Sequence, residues 1–205
     1  MIYKKIPLIL FLIILSATQV YGWTCAGHTY IVQEATENIN ACASDARRSC
    51  KHYVNNEREK AITASDFSNG DTKNGDLYKK IYDLSKMVFN NTPLNDNDKE
   101  DLIHLLGDMS NPMHHVIYEG YNRKHHKEYD HIFLGNSCVK ANSVDSIQNH
   151  AQFIDAAIKL ANEAKNIGYI DIDADSMIGT LNNVCAMASQ SATLIRAIVI
   201  RMSMN

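Results

Sequence analysis

The segment DKEDLIHLLGDM, residues 98–109, is the part of the sequence that is most informative about the fold. Its apolar residues fall on more than one face of a helix, which is typical of a helix at the centre of a bundle. Asp96 or Asp98 can cap the start of this helix. Asn111-Pro112 ends it, because proline lacks the amide hydrogen that a helix interior requires. The sequence therefore predicts a central helix from about Asp98 to Met109.

Helical spacing of apolar residues recurs on both sides of this stretch. No segment of useful length alternates as a strand would, and the chain contains no internal repeat. The predicted fold class is therefore all-α, a single-domain helical bundle. The further predicted helices cover about 28–43, 57–65, 77–89, 126–133, 143–165 and 174–204.

Residues 1–22 are typical of a cleavable signal peptide, with Lys4 and Lys5 before an apolar run at 7–15 and small residues before Trp23. The run is shorter than the about 20 residues of a membrane span. We expect residues 23–205 to be the mature domain of a secreted protein, extracellular, periplasmic or lumenal, with no transmembrane anchor. Cleavage after residue 22 would expose the α-amino group of Trp23 as a candidate metal ligand. The alternatives are cleavage one or two residues away, which would bury that amine in a peptide bond, and retention of the segment as a membrane anchor.

The composition restricts the partners and the compartment. With 20 Lys+Arg against 23 Asp+Glu and no basic block, broad neutralisation of phosphates is excluded, and any nucleic acid would have to bind at a local site. Five cysteines in an exported chain indicate disulfides with one thiol left over. Cys42 with Cys50 is the simplest local pair, and Cys138 with Cys185 could join segments late in the chain.

Histidines and aspartates are spaced as metal ligands would be. His104 and Asp108 lie four residues apart on the predicted central helix, so both emerge from one face and can bind one cation. His114 follows the proline, and His126 with Asp130 repeats the four-residue spacing. One such pair is usually a surface pair or a core contact, but a carboxylate inside an apolar helix costs on the order of several kcal/mol unless it is compensated. Imidazole and carboxylate ligands together suit zinc.

Four short strings resemble motifs of the S1/P1 nuclease and zinc-dependent phospholipase C superfamily: WTCAGH (23–28), HLLGD (104–108), NPMH (111–114) and HKEYD (126–130). The resemblance implies an all-α fold of the phospholipase C/P1 nuclease type that holds up to three zinc ions. It also implies that Asp66 is a catalytic residue that orients the attacking water. The metal ligands that the resemblance implies are Trp23, His28, Asp66, His104, Asp108, His114, His126 and Asp130.

The chain departs from the family at one ligand. The family has a histidine shortly after the aspartate that corresponds to Asp66, and no histidine lies between Asp66 and His104 here. Tyr78 stands near the expected place, and His52 has a similar local sequence but comes too early along the chain. The resemblance also implies that Asp108 bridges two of the zinc ions, and full occupancy of this pair is therefore open.

Three functions follow as alternatives. The spacing of Trp23 and His28, and an aspartate rather than a glutamate at Asp130, favour a nuclease that cleaves single-stranded DNA or RNA. The strings at 66–69 and 112–114 favour a phospholipase C that acts on a phospholipid head group. The missing histidine and the short chain favour a secreted metal-binding protein that has lost the reaction. We expect the nuclease, as a monomer without a protein partner. Candidates to stack an unpaired base are aromatic residues that core packing would explain equally well, namely Phe67, Tyr78, Tyr118 and Tyr121.

Overall fold

Helices make up all the regular secondary structure of the part of the chain that the computed structural model describes, namely residues 25–36, 52–70, 75–117, 138–173 and 180–204. The all-α class is therefore confirmed for these residues. The signal peptide, Trp23 and the predicted helix at 126–133 lie outside them. The helices are α1 (Cys25–Ala35), α2 (Ala64–Ser68), α3 (Leu77–Phe89), α4 (Asp96–Asp108), α5 (His150–Asp173) and α6 (Thr180–Ser203), with a 3-10 turn at Pro112–His114.

The predicted central helix is α4. Every residue from Leu102 to Asp108 is buried, and the helix contacts α1, α3 and α6. Its start differs from the prediction, because Asn95 caps it rather than Asp96 or Asp98. The Asn95 side chain accepts a hydrogen bond from the backbone amide of Asp98 at 2.9 Å, so the helix begins two residues earlier than predicted.

The helix predicted at 57–65 is wrong, since only Ala64–Ser68 is helical. The side chain of Asn162 on α5 bonds both the amide and the carbonyl of Ile62, at 3.0 and 2.9 Å. Lys165 donates to the carbonyls of Arg58 and Lys60. These bonds use backbone groups that a helix would need, and the partners lie about a hundred positions further along the chain.

Other predicted boundaries also move, and the helix predicted at 143–165 continues to Asp173. The helix predicted from 143 begins at His150, because the Ser143 hydroxyl accepts from the Asp145 amide at 3.2 Å and holds a turn there. The helix predicted at 28–43 is α1, which ends at Ala35, and residues 37–43 lie outside the described part. Arg196 on α6 donates to the carbonyl of Glu34 at 2.6 Å, which satisfies an acceptor in the last turn of α1.

A disulfide joins Cys138 to Cys185, with their Cα atoms 5.3 Å apart. This confirms one of the two predicted pairs, whereas Cys42 and Cys50 lie outside the described residues. Beyond Cys138, the Lys140 and Asn142 amides bond side chains of α6 at 3.0 and 2.9 Å. A disulfide is weakly compatible with an oxidising compartment.

Part of α6 has the length and composition of a membrane-spanning helix. Residues Asn183–Ser203 have a mean hydropathy of 1.3, and half of that window is buried inside the fold. Core helices of soluble proteins pass the same test. The buried hydroxyl of Ser191 bonds the carbonyl of Leu106 on α4 at 2.5 Å, as expected where α6 packs inside a bundle.

Candidate metal centre

Three side chains from α1 and α4 meet in the core. His28, His104 and Asp108 are fully buried, and one ligand atom from each lies within 4.8 Å of the other two. The Nε2 atoms of His28 and His104 each lie 3.3 Å from a different oxygen of the Asp108 carboxylate. The two rings stack with centroids 3.8 Å apart. This group could hold a metal ion.

A glycine brings α1 against α4 at this point. A Cβ atom at Gly107 would lie 2.5 Å from Nδ1 of His28 and 2.9 Å from its Cε1, which is closer than packed atoms approach. Glycine inside a helix costs about 1 kcal/mol relative to alanine. The missing side chain is what lets the His28 ring lie on the surface of α4, so Gly107 belongs to the site although it offers no ligand atom.

His114 lies beside the group, and its role as a metal ligand stays a prediction. Its Nδ1 is 3.8 Å from an oxygen of Asp108 and 2.8 Å from the backbone carbonyl of His52. A carbonyl can only accept, so Nδ1 carries the hydrogen and the lone pair of the neutral ring is on Nε2. A metal ligand of this kind usually donates its other ring nitrogen to such an acceptor.

His52 is the residue that spacing along the chain missed. Its ring centroid lies 4.9 Å from that of His114, and the residue is only 8% exposed. The one signal available in the sequence was the local similarity of KHYV, residues 51–54, to the missing family motif. The fold thus brings a further imidazole to His114 although His52 precedes Asp66 in the chain.

Asp66 caps α2. Its carboxylate accepts from the amide and hydroxyl of Thr63 at 2.8 and 2.7 Å and pairs with Lys60 at 3.3 Å. Burial acts to raise the pKa of Asp66, but the bonds from Thr63 and Lys60 outweigh it and hold the pKa below its usual value. Asp66 is not part of the buried group formed by described residues. Its metal and catalytic roles stay predictions, as do the roles of Trp23, His126 and Asp130, which lie outside the described part.

The aromatic residues near the group belong to the core. Phe67 is fully buried and Tyr78 is 1% exposed, and their rings stack with centroids 4.6 Å apart. Neither can offer an open face to a base, so that use of Phe67 and Tyr78 is wrong. Tyr118 and Tyr121 lie outside the described residues.

His115, which follows His114 directly, is fully buried as well. Its Nδ1 lies 2.6 Å from the Tyr78 hydroxyl and its Nε2 lies 2.8 Å from the carbonyl of Met109. Burial lowers the pKa of His115 to about 4 and raises the pKa of Tyr78 well above its usual value. The pair is therefore neutral at physiological pH.

Because the buried ring of His115 is neutral, we expect the stability of the fold to depend on pH. Its pKa in the folded chain, about 4, lies below the usual value of 6.5, so only the unfolded chain takes up a proton between these values. The contribution to stability is present above pH 6.5 and is lost as the pH falls toward 4. We expect the unfolding free energy of the unmodified chain to fall by about 1.4 kcal/mol per pH unit more steeply than that of His115→Gln. Urea unfolding at pH 7, 5.5 and 4.5 measures both slopes, and equal slopes would contradict a neutral His115.

No protein-family model, curated protein or solved structure matches this chain. Its function is therefore inferred from its own residues and their geometry.

Proposed function

We propose that the chain is a secreted zinc-dependent phosphodiester hydrolase of the S1/P1 nuclease type, acting on single-stranded DNA or RNA. This proposal rests on the buried group of His28, His104 and Asp108. Two imidazoles and a carboxylate are ligands of the kind found in catalytic zinc sites. We infer the reaction and the substrate from the resemblance of the sequence motifs to those of the S1/P1 nuclease and zinc-dependent phospholipase C superfamily.

The spacing of the group suits a cation better than direct hydrogen bonds. Both imidazole nitrogens lie 3.3 Å from the Asp108 oxygens, whereas N–H···O bonds cluster at about 2.9–3.0 Å. Ligand atoms on a tetrahedral zinc with bonds of about 2.1 Å are separated by roughly 3.4 Å. Within the part of the chain that the structure describes, the donor set contains no thiolate, which favours zinc that acts on water over a closed structural site.

Each residue has a defined part in the proposed site. Bound zinc would supply an electrophile that lowers the pKa of water and stabilises negative charge on phosphoryl oxygens. His28 and His104 would hold it from α1 and α4, while Asp108 supplies the negative charge that makes a buried dication tolerable. The carboxylate of Asp66 is ionised at neutral pH, as its lowered pKa requires, and is the candidate to orient the attacking water.

Phospholipase C is the second candidate. A lipid substrate needs an exposed apolar rim, and Ile117, three residues beyond His114, is 40% exposed. The spacing of Trp23 and His28 and the identity of Asp130 favour the nuclease over it. These two sequence features decide the order in which we place the candidates.

A substrate panel tests the proposal. The processed chain, recovered after expression of the full sequence, would be incubated with single-stranded DNA, RNA and phosphatidylcholine, before and after EDTA and after zinc is restored. We expect cleavage of single strands that EDTA abolishes and zinc restores. Undiminished cleavage after chelation would refute the metal dependence. Cleavage of the lipid alone would favour the second candidate, and cleavage of nothing would favour a metal-binding protein without the reaction.

A further inference from the structure

The extended segment 52–56 binds the backbone around His114. The amide of Val54 donates to the carbonyl of His114 at 2.9 Å, and Nδ1 of His114 donates to the carbonyl of His52 at 2.8 Å. The side-chain amide of Asn56 donates to the carbonyl of His115 at 2.9 Å. Three bonds thus hold residues 114 and 115 in one register against this segment.

A chain of buried hydrogen bonds continues from Asn56 to the end of α4. Nε2 of His115 lies 2.8 Å from the Met109 carbonyl, so Nε2 donates and Nδ1 of the neutral ring accepts. The Tyr78 hydroxyl therefore donates to Nδ1 at 2.6 Å. Its oxygen accepts from the Asn56 amide at 3.1 Å. The Asn56 amide orientation is fixed independently, because two carbonyls also face its nitrogen.

This series of hydrogen bonds connects the two parts of the candidate metal centre, namely Asp108 on α4 and His114 on the 3-10 turn. Met109 directly follows Asp108 at the end of α4, and His115 directly follows His114. The bond from His115 to Met109 thus fixes how far His114 lies from Asp108. Phe67 stacks on Tyr78 and restrains the plane of its ring. Tyr78 and His115 are at most 1% exposed, so bulk water does not compete for these bonds.

We propose that Tyr78 is a positioning residue, whose hydroxyl locks the ring of His115 and thereby holds His114 in place beside Asp108. The consequence of this inference for metal binding rests on the proposed function. The tautomers of His114 and His115 that the inference requires do not depend on that function. Tyr78 itself need not contact a metal or a substrate.

The first test measures the affinity of Tyr78→Phe for Co²⁺. Binding is monitored through the visible absorption of the bound ion. The variant keeps the ring that stacks on Phe67 and removes only the hydroxyl. We expect the affinity to fall by about 10- to 100-fold, as for other residues that orient metal ligands. Tyr82→Phe, on the same helix one turn away, is the matched control and should bind Co²⁺ within about twofold of the unmodified chain. A Tyr78→Phe protein with unchanged affinity and spectrum would overturn the inference.

The second test needs no metal. Nitrogen-15 NMR of the unmodified chain should show one neutral tautomer at each ring, with hydrogen on Nε2 of His115 and on Nδ1 of His114. In Tyr78→Phe the signals of both rings should shift or show mixed tautomers. The opposite tautomer at His115 of the unmodified chain would overturn the inference even if Tyr78→Phe fails to fold or the chain binds no Co²⁺. Where Tyr78→Phe folds, His114 signals identical to those of the unmodified chain would overturn it as well. Failure to bind Co²⁺ at all would instead contradict the proposed function.

Discussion

Replacing Asp108 by asparagine is expected to weaken zinc binding by more than about 100-fold, beyond the loss typical of residues that only orient ligands. The carboxylate lies 3.3 Å from a nitrogen of His28 and of His104, and it is fully buried. Asparagine has the same shape but no negative charge. It therefore leaves the packing intact and removes the charge that a buried dication requires.

Thermal unfolding with and without zinc measures this loss. At a free zinc concentration of 100 times the dissociation constant, the unmodified chain should gain about 2.7 kcal/mol of stability, and Asp108→Asn almost none. Asp96→Asn is the matched control, because Asp96 lies on the same helix with a side chain that is 93% exposed. If Asp108→Asn gained as much stability from zinc as the control, Asp108 would be an ion-pair partner of the histidines and not a ligand.

Substitution of Gly107 by alanine is the second large expected effect. Alanine favours a helix over glycine by about 1 kcal/mol, yet the added Cβ would lie 2.5 Å from the His28 ring. Overpacking of this kind costs about 1–3 kcal/mol. We therefore expect a net loss of stability in urea unfolding, together with weaker zinc binding, because His28 must move away from Asp108.

A double-mutant cycle with His28→Ala separates the clash from any other cost. Once the ring is gone, Gly107→Ala should become neutral or stabilising, since only the gain in helix propensity remains. An equal loss of stability in the two backgrounds would show that His28 does not lie against Gly107.

The fold was predictable where local pattern and tertiary packing agree. The apolar stripe of α3 predicted Leu77–Phe89, which is the helix observed, and the apolar residues of α4 predicted its central place. The segment 57–63 was not predictable, because Asn162 and Lys165 bind its backbone from α5. The helix propensities of the residues in this segment contain no information about binding partners that far along the chain.

The candidate site was predictable to a similar extent. The four-residue spacing of His104 and Asp108 places both on one face of α4, as found. His28 was associated with them by its place close to the candidate free terminus and by the family resemblance, and not by spacing on a helix. The positions of His52 and Gly107 depend on how separate elements cross, and no local pattern in the sequence reports that crossing. The capping contacts of Asp66 follow from a threonine three residues before it, a local signal that was available in the sequence.

Anomalous diffraction from crystals of the processed chain grown with zinc would show whether His28, His104 and Asp108 bind one ion. We expect an anomalous peak at the zinc edge within about 2.0–2.2 Å of a nitrogen of His28, a nitrogen of His104 and an oxygen of Asp108. A fully occupied zinc bound elsewhere, with these three side chains still in direct contact with one another, would contradict this expectation.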